Sequence, residues 1–327
     1  MSAKSSARTE SAITLQSNLF VATHLPRAKQ LGGQLADLIA DPDAFVAALT
    51  AGLEELADPI VVIGIRSVTP GLSEVLGVRL PLLEATHRTL SKATKKAPAS
   101  LLLEITGRLL GHGAADVRWF GMWNFERLLA TDPEPTWQLM RRAAAAAGEW
   151  ISVDTLAHPY AAGILLDGLR WAELERLVYS PSRWERRLVG STMATLPHVK
   201  YAGSRDKAAA ARGLQLIGQL IGDAEPDVQK ALSWALRSLA PIDTAAVVTF
   251  VEREAEKARA TDDGHRAWVL RDSLSKLPND AQKNLKACLQ GIRRRPGAPS
   301  TSLAATTAAE LASADADQRP RPSSREE

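Results

Sequence analysis

The sequence predicts an all-α protein, a right-handed superhelical solenoid of HEAT-like helical repeats. Two observations lead to this prediction. From residue 15 to residue 292, apolar residues recur at helical spacing between breaks that contain proline, glycine or aspartate. Along this region a weakly similar segment also recurs, at a period typical of repeats built from helix pairs. An irregular helical bundle is the alternative, because alanine-rich sequence can imitate such a repeat.

Both ends of the chain have the composition of disordered segments. Residues 1–14 are mostly Ser, Ala, Lys and Arg, and residues 293–327 are rich in Pro, Ser and small residues without aromatics. The sequence therefore predicts a disordered N-terminal arm (1–14), a HEAT-like repeat domain (15–292) and a disordered C-terminal tail (293–327). We expect residues 1–14 and 296–327 to be dispensable for folding.

The composition is that of an ordinary soluble globular protein. Of the 327 residues, 45% are hydrophobic and 24% are charged, and the net charge of +3 provides no global cationic field. The isoelectric point of about 9.0 permits nucleic-acid binding without requiring it. The single cysteine, Cys288, excludes an internal disulfide and fits a reducing compartment. No apolar run is long enough for a signal peptide or a membrane span, so we expect a cytoplasmic monomer.

Several helices have recognisable starts. Asp41 and Asp43 are candidate caps for "DPDAFVAALTAGLEELADP", and Asp132 precedes a proline at the first turn of "DPEPTWQLMRRAAAAAGEW". Only "PIVVIGI" (59–65) has a strand-like composition. A short apolar run of this kind does not distinguish a strand from a buried helix.

The repeat is visible in four segments: "DVRWFGMWNFERLL", "WERRLVGSTMATL", "DVQKALSWALRSLA" and "DGHRAWVLRDSLSKL". They begin at residues 116, 184, 227 and 263, so their starts are 68, 43 and 36 residues apart. These intervals indicate a unit of about 34–44 residues, with one copy hidden near residue 150. Position four of the last three copies is Arg187, Lys230 and Arg266, which predicts a basic row along the inner face of the solenoid.

Motifs for metal and cofactor chemistry are missing from the sequence. The six histidines are scattered without paired-ligand spacing, so we expect no metal. Neither a phosphate-binding GxxxxGK[ST] loop nor a GxGxxG turn is present, so we expect no cofactor. Ser191 and Ser233 lack the GxSxG context of a nucleophilic serine.

Three clusters of chemically capable residues remain. In "GEWISVDTLAH", Trp150 and Asp154 are four residues apart and share a helix face. The other two clusters combine tryptophan with cations, a combination that suits a phosphate backbone and a flat or cationic surface. They are Arg183, Trp184, Arg186 and Arg187 in "SPSRWERRL", and Lys230, Trp234 and Arg237 in "QKALSWALRS". Taken singly, each residue also has an ordinary structural interpretation: a core tryptophan, a solvated arginine, or an aspartate that caps a helix or pairs with an arginine.

Taken together, the order and spacing of the motifs resemble those of the DNA alkylation repair family, the AlkD-like HEAT-repeat DNA glycosylases. The resemblance rests on "WISVD" (150–154), "WERR" (184–187) and "KALSWALR" (230–237), and it spans about residues 60–275. In "LGVRLPLLE" (76–84), Pro81 matches the proline of a family turn near the first repeats. The sequence departs from the family pattern at Glu84 and Ile151, where arginine and a second acid are common.

The resemblance implies a DNA glycosylase that removes N3- or N7-alkylated, positively charged purines from duplex DNA. By resemblance, Asp154 is the catalytic carboxylate, Trp150 and Trp234 bracket the damaged nucleotide, and Arg187 holds its backbone. The repeat pattern assigns Lys230 to contact with the DNA backbone. A monofunctional enzyme without deep base flipping follows, with damaged double-stranded DNA as its partner. A fixed carboxylate suits this chemistry because it stabilises the oxocarbenium character of the sugar without reorganisation.

Two other functions remain open at the level of sequence. A non-catalytic DNA-binding HEAT-like protein would keep the basic groove without the chemistry, and the family includes such members. A protein-interaction scaffold is a common use of helical solenoids. Steep salt dependence of duplex binding would favour either DNA-binding function over the scaffold.

Overall fold

The computed structural model describes residues 2–72, 74–308 and 310 of the chain, with side chains from residue 14 onward. These residues form sixteen α-helices and two short 3-10 helices. Within the described residues the only β-type pairing is an isolated antiparallel bridge between Ala57 and Val78. The all-α class predicted from the sequence is confirmed.

The chain divides into two compact units, residues 1–143 and residues 144–327. The helices that begin in the first unit are α1 (Ser2–Asp37), α2 (Pro42–Glu55), α3 (Pro59–Val68), α4 (Leu80–Ala93), α5 (Ala99–Leu110), α6 (Ala115–Met122), α7 (Phe125–Thr131) and α8 (Pro133–Ala146). In this unit α1 packs against α2 and α4, while α5 packs against α2, α6 and α7. Phe45 and Phe120 are fully buried in its core.

Local capping explains two of these helices. Asp41 caps α2 as expected, because its carboxylate accepts a hydrogen bond of 3.1 Å from the backbone nitrogen of Ala44. "PIVVIGI" is helical and not a strand: Asp58 caps α3 by accepting from the backbone nitrogen of Ile60 at 3.0 Å, and Pro59 occupies the first turn. The apolar run is part of a capped helix that leaves Ile60 and Ile63 half or more exposed.

The turn before α4, formed by the first four residues of "LGVRLPLLE", is held by Asp116, the first residue of the first repeat segment. Asp116 is fully buried, and its carboxylate accepts hydrogen bonds from the backbone nitrogens of Leu76 (2.8 Å) and Val78 (2.9 Å). An ion pair of 2.6 Å between Arg79 and Asp58 ties the same turn to α3. Asp116 therefore has a structural role that its place in the repeat did not reveal.

The second unit contains α9 (Trp150–Leu166), α10 (Arg170–Leu177), α11 (Arg183–Thr195), α12 (Lys207–Leu220), α13 (Pro226–Leu239), α14 (Thr244–Thr261), α15 (Gly264–Ser273) and α16 (Asn279–Cys288). Four alternate helices pack side by side, α9 on α11, α11 on α13 and α13 on α15. We call them the inner row. The intervening helices α10, α12 and α14 each pack against members of this row. Such alternation is compatible with HEAT-like helix pairs. Helix α9 begins at Trp150, close to where the sequence predicts a further repeat copy.

A close helix contact in the inner row requires a glycine. A Cβ atom at Gly190 of α11 would lie 2.9 Å from the Cβ of Ala231 and 3.0 Å from that residue's carbonyl carbon. Both distances are shorter than carbon atoms tolerate, so only glycine allows α11 and α13 to approach this closely. The small pair Gly190 and Ala231 thereby brings the two helices that carry the predicted cations into contact.

The chain ends differ from the sequence prediction. Helix α1 begins at Ser2, so the backbone of the expected disordered arm is helical from that residue. Residues 293–308, which we call the C-terminal segment, pack on the second unit: Ser302 and Ala304 are buried, and the backbone nitrogen of Thr301 donates to the carbonyl of Gly222 at 2.8 Å. Residues 311–327 lie outside the described part of the chain.

None of the helices in the described residues combines the length and the apolar character needed to cross a membrane.

Candidate active site

Helix α9 places Trp150 and Asp154 on one face. The helix begins at Trp150 because Glu149 caps it, accepting hydrogen bonds from the backbone nitrogens of Ile151 (2.5 Å) and Ser152 (2.8 Å). Trp150 lies in the first turn and Asp154 lies one turn later. Both side chains are half-buried.

The Asp154 carboxylate is held by two residues of the neighbouring helix α11. Arg187 donates from Nε to Oδ1 at 3.1 Å and from Nη2 to Oδ2 at 2.7 Å, which is a bidentate pair. Ser191, one turn further along α11, donates from its hydroxyl to Oδ1 at 2.6 Å. Three hydrogen bonds therefore fix the position and the orientation of the carboxylate.

Arg187 is itself firmly held. Its Nη1 donates to the backbone carbonyl of Asp227, at the start of α13, at 2.7 Å. Its guanidinium carbon also lies 6.0 Å from the centre of the Trp150 ring, at the outer limit of a cation–π contact. The Arg187 side chain is 7% exposed and the Asp154 side chain is 20% exposed. Solvent or a ligand can therefore reach the carboxylate, while the guanidinium is almost enclosed.

Lys230 and Trp234 lie on α13, four residues apart, with Lys230 exposed and Trp234 half-buried. In the described part of the chain, neither makes a hydrogen bond, ion pair or ring contact with Trp150, Asp154 or Arg187. The helix itself is joined to the site through Arg187 and the carbonyl of Asp227. The structure thus brings three of the five predicted site residues into direct contact and places the other two on the adjacent helix.

The predicted basic row is not present as such. Arg266 pairs with Glu254 of α14 and, at 3.1 Å, with Asp263, and its side chain is only 11% exposed. Arg187 pairs with Asp154, so of the three cations at position four only Lys230 is exposed. Two of the three cations therefore serve contacts between helices.

In the arginine–tryptophan cluster at the start of α11, likewise, one arginine makes a structural contact and another is exposed to solvent. Arg186 pairs with the buried Asp223 at 2.7 Å, which is a structural contact. Arg183 is exposed and lies 4.7 Å from the centre of the Trp184 ring, within reach of Asp227 at 3.9 Å. Only Arg183 of this pair presents a cation to solvent.

A second aspartate cluster, which sequence reasoning missed, lies between α13 and α15. Asp272 accepts hydrogen bonds of 2.6 Å from both Ser233 and Arg237. Burial acts to raise the pKa of Asp272, but the hydrogen bonds from Ser233 and Arg237 and the charges of Arg237 and Lys230 outweigh it. The pKa of this carboxyl therefore lies below its usual value.

Ser191 was also missed as a site residue. The available signal was its spacing, because it follows Arg187 by four residues and so shares the face that meets Asp154. Asp227 could not have been found in this way, since its backbone carbonyl, and not its side chain, holds Arg187 most closely. Among the described residues, no group of three or more His, Cys, Asp or Glu side chains is placed to hold a metal ion.

The chain matches a known protein family over most of its helical region. The family model for "DNA alkylation repair enzyme" matches residues 49–277. That range includes α9, α11, α13 and α15 and excludes the C-terminal segment. No curated protein matches the chain.

Proposed function

The chain belongs to the DNA alkylation repair enzyme family, and on that premise we propose that it is a DNA glycosylase that removes positively charged N3- and N7-alkylated purines from duplex DNA. Membership of the family supports a role in the repair of alkylated DNA. We propose, beyond this role, the reaction, the lesion and the residues that act on the lesion.

The observation that carries the proposal is the fixed, partly exposed carboxylate of Asp154 beside the Trp150 ring. A carboxylate held by three hydrogen bonds does not reorganise as charge develops next to it. The Asp154 side chain is also 20% exposed, so it is accessible to solvent. The tryptophan face attracts cations, including an alkylated purine or an electron-poor sugar.

In the proposed reaction, the bond between the sugar C1′ and the alkylated purine nitrogen breaks. The electron pair of that bond leaves with the purine and neutralises its positive charge. The sugar develops oxocarbenium character, which the negative charge of Asp154 stabilises. Water then forms the new bond to C1′ and loses a proton to Asp154 or to solvent, leaving an abasic site. No Schiff-base lysine is required, so the enzyme is monofunctional.

Within this function Arg187 and Ser191 hold Asp154 in place, and Trp150 and Trp234 border the damaged nucleotide. Lys230, which is exposed, contacts a backbone phosphate. The proposed architecture is a right-handed superhelical solenoid whose inner row faces the duplex. The base stays largely in the stack, because contact with the backbone and sugar is sufficient for this chemistry.

The test is single-turnover release of 7-methylguanine or 3-methyladenine from methylated duplex DNA, measured with thermal melting on the same preparation. Asp154→Asn removes the negative charge, and we expect release per folded molecule to slow about a hundredfold or more. Asp272→Asn is the matched control. This variant also loses a carboxylate that accepts hydrogen bonds from a serine and an arginine of the inner row. We expect its release rate to stay near that of wild type.

Three outcomes would contradict the proposal. Undiminished release by Asp154→Asn would remove Asp154 from the chemistry. A wild type that binds duplex DNA with steep salt dependence but releases no alkylpurine would be a non-catalytic DNA-binding protein. A wild type without duplex binding would favour the protein-interaction scaffold.

A further inference from the structure

The C-terminal segment is docked on the loops that precede α13 and α15. In addition to the bond from Thr301 to Gly222, the hydroxyl of Ser300 accepts from the backbone nitrogen of Ala224 at 2.8 Å. On the α15 side, a ring nitrogen of His265 lies 3.1 Å from the carbonyl of Ala298. The C-terminal segment, called the strap below, therefore crosses the ends of two inner-row helices. It lies beyond the residues matched by the family model.

The start of the strap requires a glycine beneath it. A Cβ atom at Gly264 would lie 2.1 Å from the carbonyl oxygen of Arg293 and 2.5 Å from the backbone nitrogen of Arg294. Because both are backbone atoms, a larger residue would push the strap away from α15. The first turn of α15 thus fixes the position of the arginines that open the strap.

Three guanidinium groups meet at this point. Arg294 lies 4.8 Å from the centre of the Trp268 ring and donates to the side-chain oxygen of Gln229 at 2.8 Å. Arg271 of α15 donates to the backbone carbonyls that precede the strap. Burial, with the charges of Arg293 and Arg294, lowers the pKa of Arg271. Arg293 is exposed.

None of these three arginines forms an ion pair with a carboxylate of the described chain. The next residue, Arg295, does, since it pairs with Asp262. Two adjacent cations of the strap, Arg293 and Arg294, are therefore uncompensated and repel a third. Of the two, Arg294 is held by a tryptophan ring and a neutral amide. Guanidinium groups so placed favour an anion, and phosphate oxygens accept from the planar guanidinium fork.

We propose that Arg293 and Arg294 form a phosphodiester-binding site that extends the DNA-binding surface of the inner row beyond Lys230. Gln229, which holds Arg294, directly precedes Lys230 on α13, so Arg294 is attached near the same end of the helix that carries the cation already assigned to a phosphate. The identity of the ligand as duplex DNA rests on the proposed function. The site gives this chain additional backbone contacts that the matched family region lacks.

The test is the salt dependence of binding to undamaged duplex DNA by the full chain. Each phosphate contact contributes about 0.9 to the slope of log affinity against log salt concentration. We expect Arg293→Ala to lower the slope by about one, and Arg293→Ala with Arg294→Ala to lower it by about two. Arg295→Ala is the matched control, because it removes an equal charge whose partner is Asp262, and its slope should equal that of wild type.

Since Arg293 makes no side-chain bond with the described residues, the single variant should fold normally, and its melting temperature verifies this. An unchanged slope in Arg293→Ala, or an equal fall in Arg295→Ala, would overturn the inference. Release of the alkylated base by the wild-type protein is measured in parallel. A normal release rate with an unchanged slope therefore defeats only this inference, whereas a lowered slope with no release by wild type defeats only the proposed chemistry.

Competition with inorganic phosphate is a further test. If inorganic phosphate occupies the site as effectively as duplex DNA at equal phosphate concentration, the inference is overturned, because the site would then bind a free ion and not a phosphodiester backbone.

Discussion

Asp154 and Arg187 form a bidentate ion pair between α9 and α11, with bonds of 3.1 Å and 2.7 Å. The pair is unequal in exposure, because the guanidinium is almost enclosed while a fifth of the carboxylate side chain remains accessible. A catalytic carboxylate and a structural ion pair are usually treated as alternatives for such an aspartate. Here the two are compatible, since the arginine that joins the helices also fixes the carboxylate that we propose to act in the reaction.

Replacement of Arg187 should therefore affect stability first. We expect Arg187→Ala to lower the free energy of unfolding by about 3 kcal/mol, the low end of the range for broken buried pairs, because Asp154 retains some solvent. Arg187→Lys keeps the charge but not the two parallel bonds, so it should recover only part of this loss. Urea unfolding of both variants measures the effect.

The same variants test whether Arg187 contacts a phosphate of the DNA. Because its charge is already neutralised by Asp154, the salt slope of duplex binding should stay unchanged in Arg187→Ala. A slope lowered by about one would instead establish the direct phosphate contact that the family resemblance implies.

Ser191 should act on the rate through the position of Asp154. We expect Ser191→Ala to cost about 1 kcal/mol of stability, the value of one hydrogen bond. Release of 7-methylguanine per folded molecule should fall several-fold, while duplex affinity stays the same. Ser233→Ala is the matched control, since it removes the equivalent hydroxyl from Asp272. Equal rates for the two variants would contradict a positioning role for Ser191.

His87 in the first unit should make stability depend on pH. Burial lowers the pKa of His87 below its usual 6.5, despite the hydrogen bond of 3.0 Å with the Asn124 side chain. The folded state therefore binds fewer protons than the unfolded state, so stability is fully present above pH 6.5. It is lost as the pH falls from 6.5 through the lowered pKa.

Unfolding by urea between pH 7.5 and 5 measures this effect (about one denaturation series per half unit of pH). The decline in unfolding free energy towards low pH should be smaller in His87→Gln than in wild type. His198→Gln, which replaces an exposed histidine, should follow the wild-type curve. Parallel curves for all three proteins would contradict the assignment.

The C-terminal segment should contribute to stability, contrary to the expectation from composition. A chain that ends at Arg295 loses the buried Ser302 and Ala304. It also loses the hydrogen bonds that Ala298 and Ser300 accept and the one that Thr301 donates. We expect its free energy of unfolding to lie on the order of 2–3 kcal/mol below that of a chain ending at residue 310, since each bond contributes about 1 kcal/mol. Coincident urea midpoints for the two chains would show that the strap is energetically neutral.

Local features of the fold followed from the sequence. Helical periodicity predicted the all-α class, and Asp41 and Pro133 marked helix starts, because capping and proline tolerance depend on residues a few positions apart. The shared face of Trp150 and Asp154 was predictable for the same reason. "PIVVIGI" was not decided by its apolar run, since its helical state depends on the cap at Asp58.

Contacts between distant residues were decided only by the tertiary structure. Asp154 meets Arg187 and Ser191 across more than thirty residues of chain, and this contact requires α9 and α11 to lie side by side. The packing of α14 on α15 likewise turns Arg266 from a predicted inner-face cation into the partner of Glu254. Periodicity assigns a side chain to a face of its own helix, but the partner on that face is set by which helices pack together. The sequence alone therefore determined the helices and the chemically capable residues, and the packing determined which of them are paired and which remain available to DNA.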